Sequence, residues 1–110
     1  MKFKLAKSVY TKADKEKKFR KELISIKLKR PVNNLYIVTT PLFEAGIMEI
    51  YNYNELLQPY YKKKKVTINI LGISSSREHA KELVRDIIED TYNEYGSADI
   101  LKYFGLEKAI

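Results

Sequence analysis

The stretch from Ser75 to Gly96 constrains the fold more than any other part of the chain. Ser75 and Glu78 have capping-box spacing, in which a hydroxyl and a carboxylate satisfy opposite backbone N–H groups at a helix start. Ala80, Leu83, Val84, Ile87, Ile88, Thr91 and Tyr95 then recur on one arc of a helical wheel. Glu78, Glu82, Asp86, Glu89 and Asn93 fall on the opposite arc. Gly96 supplies a residue that reaches the left-handed conformation at no steric cost, which ends the helix. A helix with one apolar stripe must bury it against a second layer. The remainder of the chain therefore has to supply that layer.

Period-two alternation says the layer is a sheet. In residues 2–10, Phe3, Leu5 and Val9 alternate with Lys2, Lys4 and Ser8, which predicts a strand. Residues 11–21 are strongly charged with Phe19 as the one large apolar residue, and read as a solvated, flexible connection or a short helix. Ile24, Ile26 and Leu28 alternate with Ser25, Lys27 and Lys29, which predicts a second strand ending at Pro31. Phe19, Leu23 and Ile26 also have helical spacing, but the Ile-Ser-Ile alternation favours strand. "LYIVTT" at 35–40 and "IMEIYNY" at 47–53 read as two more strands joined by "PLFEAG". The short links predict an antiparallel meander. Asn54 is placed to cap a short helix, "ELLQPYY", and "VTINILGI" at 66–73 reads as the clearest strand. Ser97 or Asp99 opens a last short helix closed by Gly105. The expectation is one α+β domain over residues 1–110. Its sheet is mainly antiparallel, with four or five strands. The long C-terminal helix covers one face, and a short helix ends the chain.

Charge is unevenly spread. Residues 1–30 carry 12 Lys+Arg against 3 Asp+Glu, whereas residues 76–110 carry 5 against 8. A basic front marks an anionic partner such as nucleic acid. Lysine outnumbers arginine 17 to 4, however, and arginine is the better residue for bidentate contacts to phosphate or guanine. An AT-rich bacterial genome produces the same bias through its codons alone. The nucleic-acid candidates are Tyr60 and Tyr61, the run Lys62, Lys63, Lys64 and Lys65, and the strand lysines Lys27 and Lys29. The competing reading makes the run a solvated connection whose charges discourage edge-to-edge sheet pairing.

Chemistry finds little purchase. With no cysteine, disulfides and thiolate metal sites are excluded. His79, the single histidine, falls in the first turn of the long helix at a polar border, where it reads as exposed. The carboxylates of that helix are spread along its length beside Lys81 and Arg85, so they read as a solvated face instead of a metal site. Ser74, Ser75 and Ser76 lack the glycine spacing and lysine of a phosphate loop and read as capping residues. No cofactor, catalytic residue or metal ligand is assigned. Lys4 and Lys7 interrupt any apolar leader, and no apolar run approaches a membrane span. The chain reads as a cytoplasmic protein with no membrane partner. Its expected function is a small non-enzymatic protein-interaction or regulatory module. The first alternative is a nucleic-acid-associated protein, and the second is a small enzyme with an unrecognised site.

Overall fold

A computed structural model describes residues 2–11, 16–41, 47–59 and 66–106. Its four strands are β1 (Lys2–Thr11), β2 (Tyr36–Thr39), β3 (Glu49–Asn52) and β4 (Thr67–Ser74). Three α-helices are described: α1 (Glu16–Lys27), α2 (Arg77–Tyr95) and α3 (Ile100–Tyr103), with a 3-10 turn over Tyr53–Leu57. The strands form one sheet in the order β1-β4-β2-β3. β2 is antiparallel to both neighbours, but β1 lies parallel to β4, so the sheet is mixed. The predicted antiparallel pairing of β2 with β3 is present, but the three-stranded meander is not: residues 22–27 are helical, and β4 takes the other side of β2.

Both faces of the sheet are covered, where the sequence predicted a helix on one. Ile68, Ile70 and Ile73 of β4 and Ile37 of β2 point into a core closed by Ile26 of α1 and by Tyr53 and Leu56 of the 3-10 turn. Val38 and Leu71 point to the opposite core, closed by Ala80, Leu83 and Ile87 of α2 and Ile100 of α3. The second cover is the segment read as a strand. Residues 22–29 lie in and just beyond α1, because Phe19, Leu23 and Ile26 pack together on its inner side. Ile24 and Leu28, which made the alternation look like a strand, stand 57% and 56% exposed. Burial of three residues at helical spacing outweighed the alternation of the other pair. The flexible-connection reading of 11–21 gives way to helix from Glu16 onward, and residues 12–15 lie outside the described ones.

The ends of α1 and α2 show how local chemistry sets the boundaries. At the C-terminus of α1, the Arg30 N–H donates to the Ser25 carbonyl at 2.9 Å and the Lys29 N–H to the Ile26 carbonyl at 3.0 Å. This is the paired-bond helix stop, and Lys29 occupies its left-handed position at φ 55°. Helix α2 is capped one residue later than its sequence predicts. β4 continues through Ser74, whose hydroxyl donates to the Ser76 carbonyl at 2.6 Å. Ser76 then accepts from the His79 N–H at 3.2 Å. Gly96, at φ 68°, ends α2 as expected. Asp99 caps α3 by accepting from the Lys102 N–H at 3.2 Å, and Gly105 follows at φ 68°. The cap of the 3-10 turn is Asn52, not Asn54. Asn54 is used elsewhere, accepting the Val32 N–H at 2.9 Å.

β1 and β4 share a register fault that shapes the edge of the sheet. Lys2 to Leu5 pair regularly with Thr67 to Ile70, but the next pair is Tyr10 with Gly72. Ala6 to Val9 therefore bulge from the ladder. Leu71 is the extra residue on β4, since β2 also skips from Ile70 to Gly72. Gly72 takes the crowding that results. A Cβ there would lie 3.2 Å from the Tyr10 carbonyl oxygen and 3.3 Å from Leu83 Cδ1.

Candidate interaction groove

Two concavities flank β1, one on each side of its bulge. The first lies between β1 and the C-terminal helices, with a volume of about 740 Å³. Its central feature is a clasp across distant parts of the chain. The Tyr10 hydroxyl donates to Asp90 Oδ2 at 2.6 Å and lies 2.7 Å from the Tyr103 hydroxyl. Tyr10 has one proton, given to Asp90, so Tyr103 is the donor in the second bond. Burial, then the bonds to Asp90 and Tyr103, push the Tyr10 phenol far above its ordinary range. A phenol held neutral in this way is neither a base nor a nucleophile near neutrality. Lys102 stands over the Tyr95 ring with its ammonium 4.8 Å from the centroid. Tyr10 also meets Phe104 edge-on, their ring centroids 5.9 Å apart. The arrangement fastens β1 to α2 and α3 and offers no activated group.

The second concavity runs along the outer edge of β1 against α1, with a volume of about 650 Å³. Its apolar floor comes from Phe3, Leu5 and Val9 of β1 and Phe19 and Leu23 of α1. Lys7 lines it from the strand and Lys27 from the helix, Lys4 borders it at the strand edge with its side chain alternating to the other face, and among the described residues no carboxylate lines it. All three lysines are exposed. On the outer side of α1 and just past its end, Ile24 and Leu28 sit one helical turn apart among exposed Arg20, Lys21 and Lys27, and neither lines the groove. They add an exposed apolar patch to the helix that walls the groove.

β1 is also an edge strand, with β4 on one side and no strand on the other among the described residues. The Lys2 N–H donates to the Val66 carbonyl at 2.9 Å. Backbone groups alternate in direction along a strand, so the N–H and C=O of Phe3 and Leu5 turn away from β4, toward the groove side.

The sequence-derived candidates divide three ways. Tyr60, Tyr61, Lys62, Lys63, Lys64 and Lys65 lie outside the described residues. Lys27 enters the groove from the last turn of α1, a helix residue where a strand residue was expected. Lys29 is exposed just past the helix end and does not line the groove. Phe19 and Leu23 were not singled out as a site. Their apolar spacing was visible, but their meeting with β1 depends on α1 folding back along it. Tyr10, Asp90 and Tyr103 carried no sequence signal, being 80 and 93 residues apart. Among the described residues no group of three metal-ligating side chains converges, and no helix is long and apolar enough to cross a membrane.

Comparison with protein-family models, with curated proteins and with solved structures finds no match to this chain.

Proposed function

We propose that this chain is a non-enzymatic interaction module that docks an acidic, partly apolar segment of a partner protein in the groove between β1 and α1. The observation that carries this reading is the composition of the groove. Exposed lysines and an apolar floor line it, with no carboxylate among its described lining residues. Bringing anionic side chains to Lys4, Lys7 and Lys27 speeds encounter, while apolar side chains leaving water against Phe19 and Leu23 hold the complex. Ile24 and Leu28 favour a protein over a nucleic acid, because aliphatic side chains offer bases neither a stacking surface nor hydrogen bonds.

A labelled synthetic peptide of alternating glutamate and valine, titrated against the folded chain, tests this. Binding should be saturable and should fall at least about tenfold in a Lys4→Glu, Lys27→Glu double variant. No binding by the parent chain, or equal binding by the charge-reversed one, would overturn the reading. Nucleic acid is the second reading, favoured by one contact. Lys2 bonds to Val66, the residue that directly follows Lys62–Lys65 in sequence. Tight binding of labelled DNA that excludes the peptide, with a log–log salt slope of about −0.7 per contact for single strands, would favour it.

A further inference from the structure

We infer that the partner segment docks as an additional strand on residues Lys2 to Leu5 of β1, with alternating apolar and acidic side chains. This rests on the docking function proposed above and adds to it the conformation and sequence pattern of the ligand.

Backbone direction makes the first case. Lys2 spends its N–H on Val66, and the regular register with β4 runs from Lys2↔Thr67 to Leu5↔Ile70. Over this stretch Phe3 and Leu5 aim their N–H and C=O groups outward at the edge. Two donors and two acceptors at strand spacing form a template for one more strand. The template is short because the ladder breaks at Ala6, and the bulge through Val9 carries the edge out of line.

Side-chain direction makes the second case. Phe3 and Leu5 face α1, while Lys2 and Lys4 alternate to the opposite face of the sheet. There Lys4 borders a polar hollow with Thr67 and Asn69. A strand laid against β1 shares these two faces. Its side chains beside Phe3 and Leu5 enter the groove under Phe19 and Leu23 and must be apolar. Its alternate side chains come beside Lys2 and Lys4 and are best acidic. Paired acids or paired apolar residues would put one of each kind on the wrong face.

The test uses the alternating glutamate–valine peptide and three relatives. One carries the same residues as paired blocks, Glu-Glu-Val-Val repeated. The other two are alternating peptides N-methylated at every valine or at every glutamate, which removes one set of backbone donors. The alternating peptide should bind at least about tenfold more tightly than the block peptide. One methylated set should abolish binding while the other leaves it unchanged, because only one edge of the peptide faces β1. Loss with methylated valine means antiparallel addition, in which residues opposite Phe3 and Leu5 bond to them directly; loss with methylated glutamate means parallel addition. Equal binding of the block and alternating peptides, or tolerance of both methylated sets, would overturn strand addition while the docking groove stands. If no peptide binds the parent chain at all, the docking function fails as well.

Discussion

Gly72 is where β1, β4 and α2 come closest, and one methyl group there tests how tightly they fit. An alanine Cβ would meet the Tyr10 carbonyl oxygen, Leu83 Cδ1 and Tyr10 Cβ, all within 3.4 Å. Overpacking of that order costs about 1–3 kcal/mol, against at most about 1 kcal/mol recovered from a stiffer unfolded chain. Gly72→Ala should therefore lower the denaturation midpoint by a net loss of about 1 kcal/mol, and a variant as stable as the parent would show that β1 yields at the bulge. A second residue-scale prediction concerns alkali. Burial pushes the Tyr53 phenol up to about 12 from an ordinary value near 10. The folded state thus favours the neutral phenol. Its contribution is complete below about pH 10 and is lost as pH rises through about 12. The parent should lose stability across that window, and Tyr53→Phe should lose less, as measured by chemical denaturation at stepped pH.

Among the elements, α2 is the cover for one face, and its two sides should respond to substitution very differently. Ile87 is fully buried, so Ile87→Ala should cost about 2–5 kcal/mol. Glu89 is exposed, and Glu89→Ala should stay within about 0.5 kcal/mol. Equal melting shifts in the two would contradict the packing. For α1 the corresponding contrast separates stability from binding. Replacing Ile24 and Leu28 together by serine should leave the melting temperature nearly unchanged and weaken the glutamate–valine peptide measurably. The same two residues explain what was and was not legible in the sequence. α2 could be read almost to the residue because its stripe, cap and terminal glycine agree on one structure. α1 carried two conflicting patterns, and only the position of the β1–β4 pair, 65 residues apart at Lys2↔Thr67, decides which one is buried. The groove was hidden for the same reason, since one of its two walls, Phe19, Leu23 and Lys27, belongs to the misread element. Asp90 and Tyr103, remote from Tyr10 in sequence, could not have been paired with it by any local signal.

At the scale of the whole molecule, the basic front of the chain and its acidic back end up on different elements. Arg20, Lys21 and Lys27 are exposed on α1, and Glu78, Glu89 and Glu94 on α2. A molecule with this polarity should capture an acidic partner faster at low salt. Raising ionic strength should slow association of the glutamate–valine peptide more than it speeds dissociation, because exposed charges are screened beyond about 8–10 Å while apolar contacts are not. Stopped-flow traces dominated instead by faster dissociation would show that the lysines hold the complex more than they steer the encounter.

The parallel union of β1 with β4 also has a consequence for the newborn chain. A ribosome adds about 5–20 residues each second. β1 leaves it ahead of β4, its one strand partner among the described residues, which begins at Thr67. For several seconds the first ten residues have no ladder to join, and an aliphatic edge in that state recruits neighbours of its own kind. Lys2, Lys4 and Lys7 interrupt that edge with like charges. The positive charge proposed to attract an acidic partner should thus also keep nascent copies of the same strand apart on a polysome.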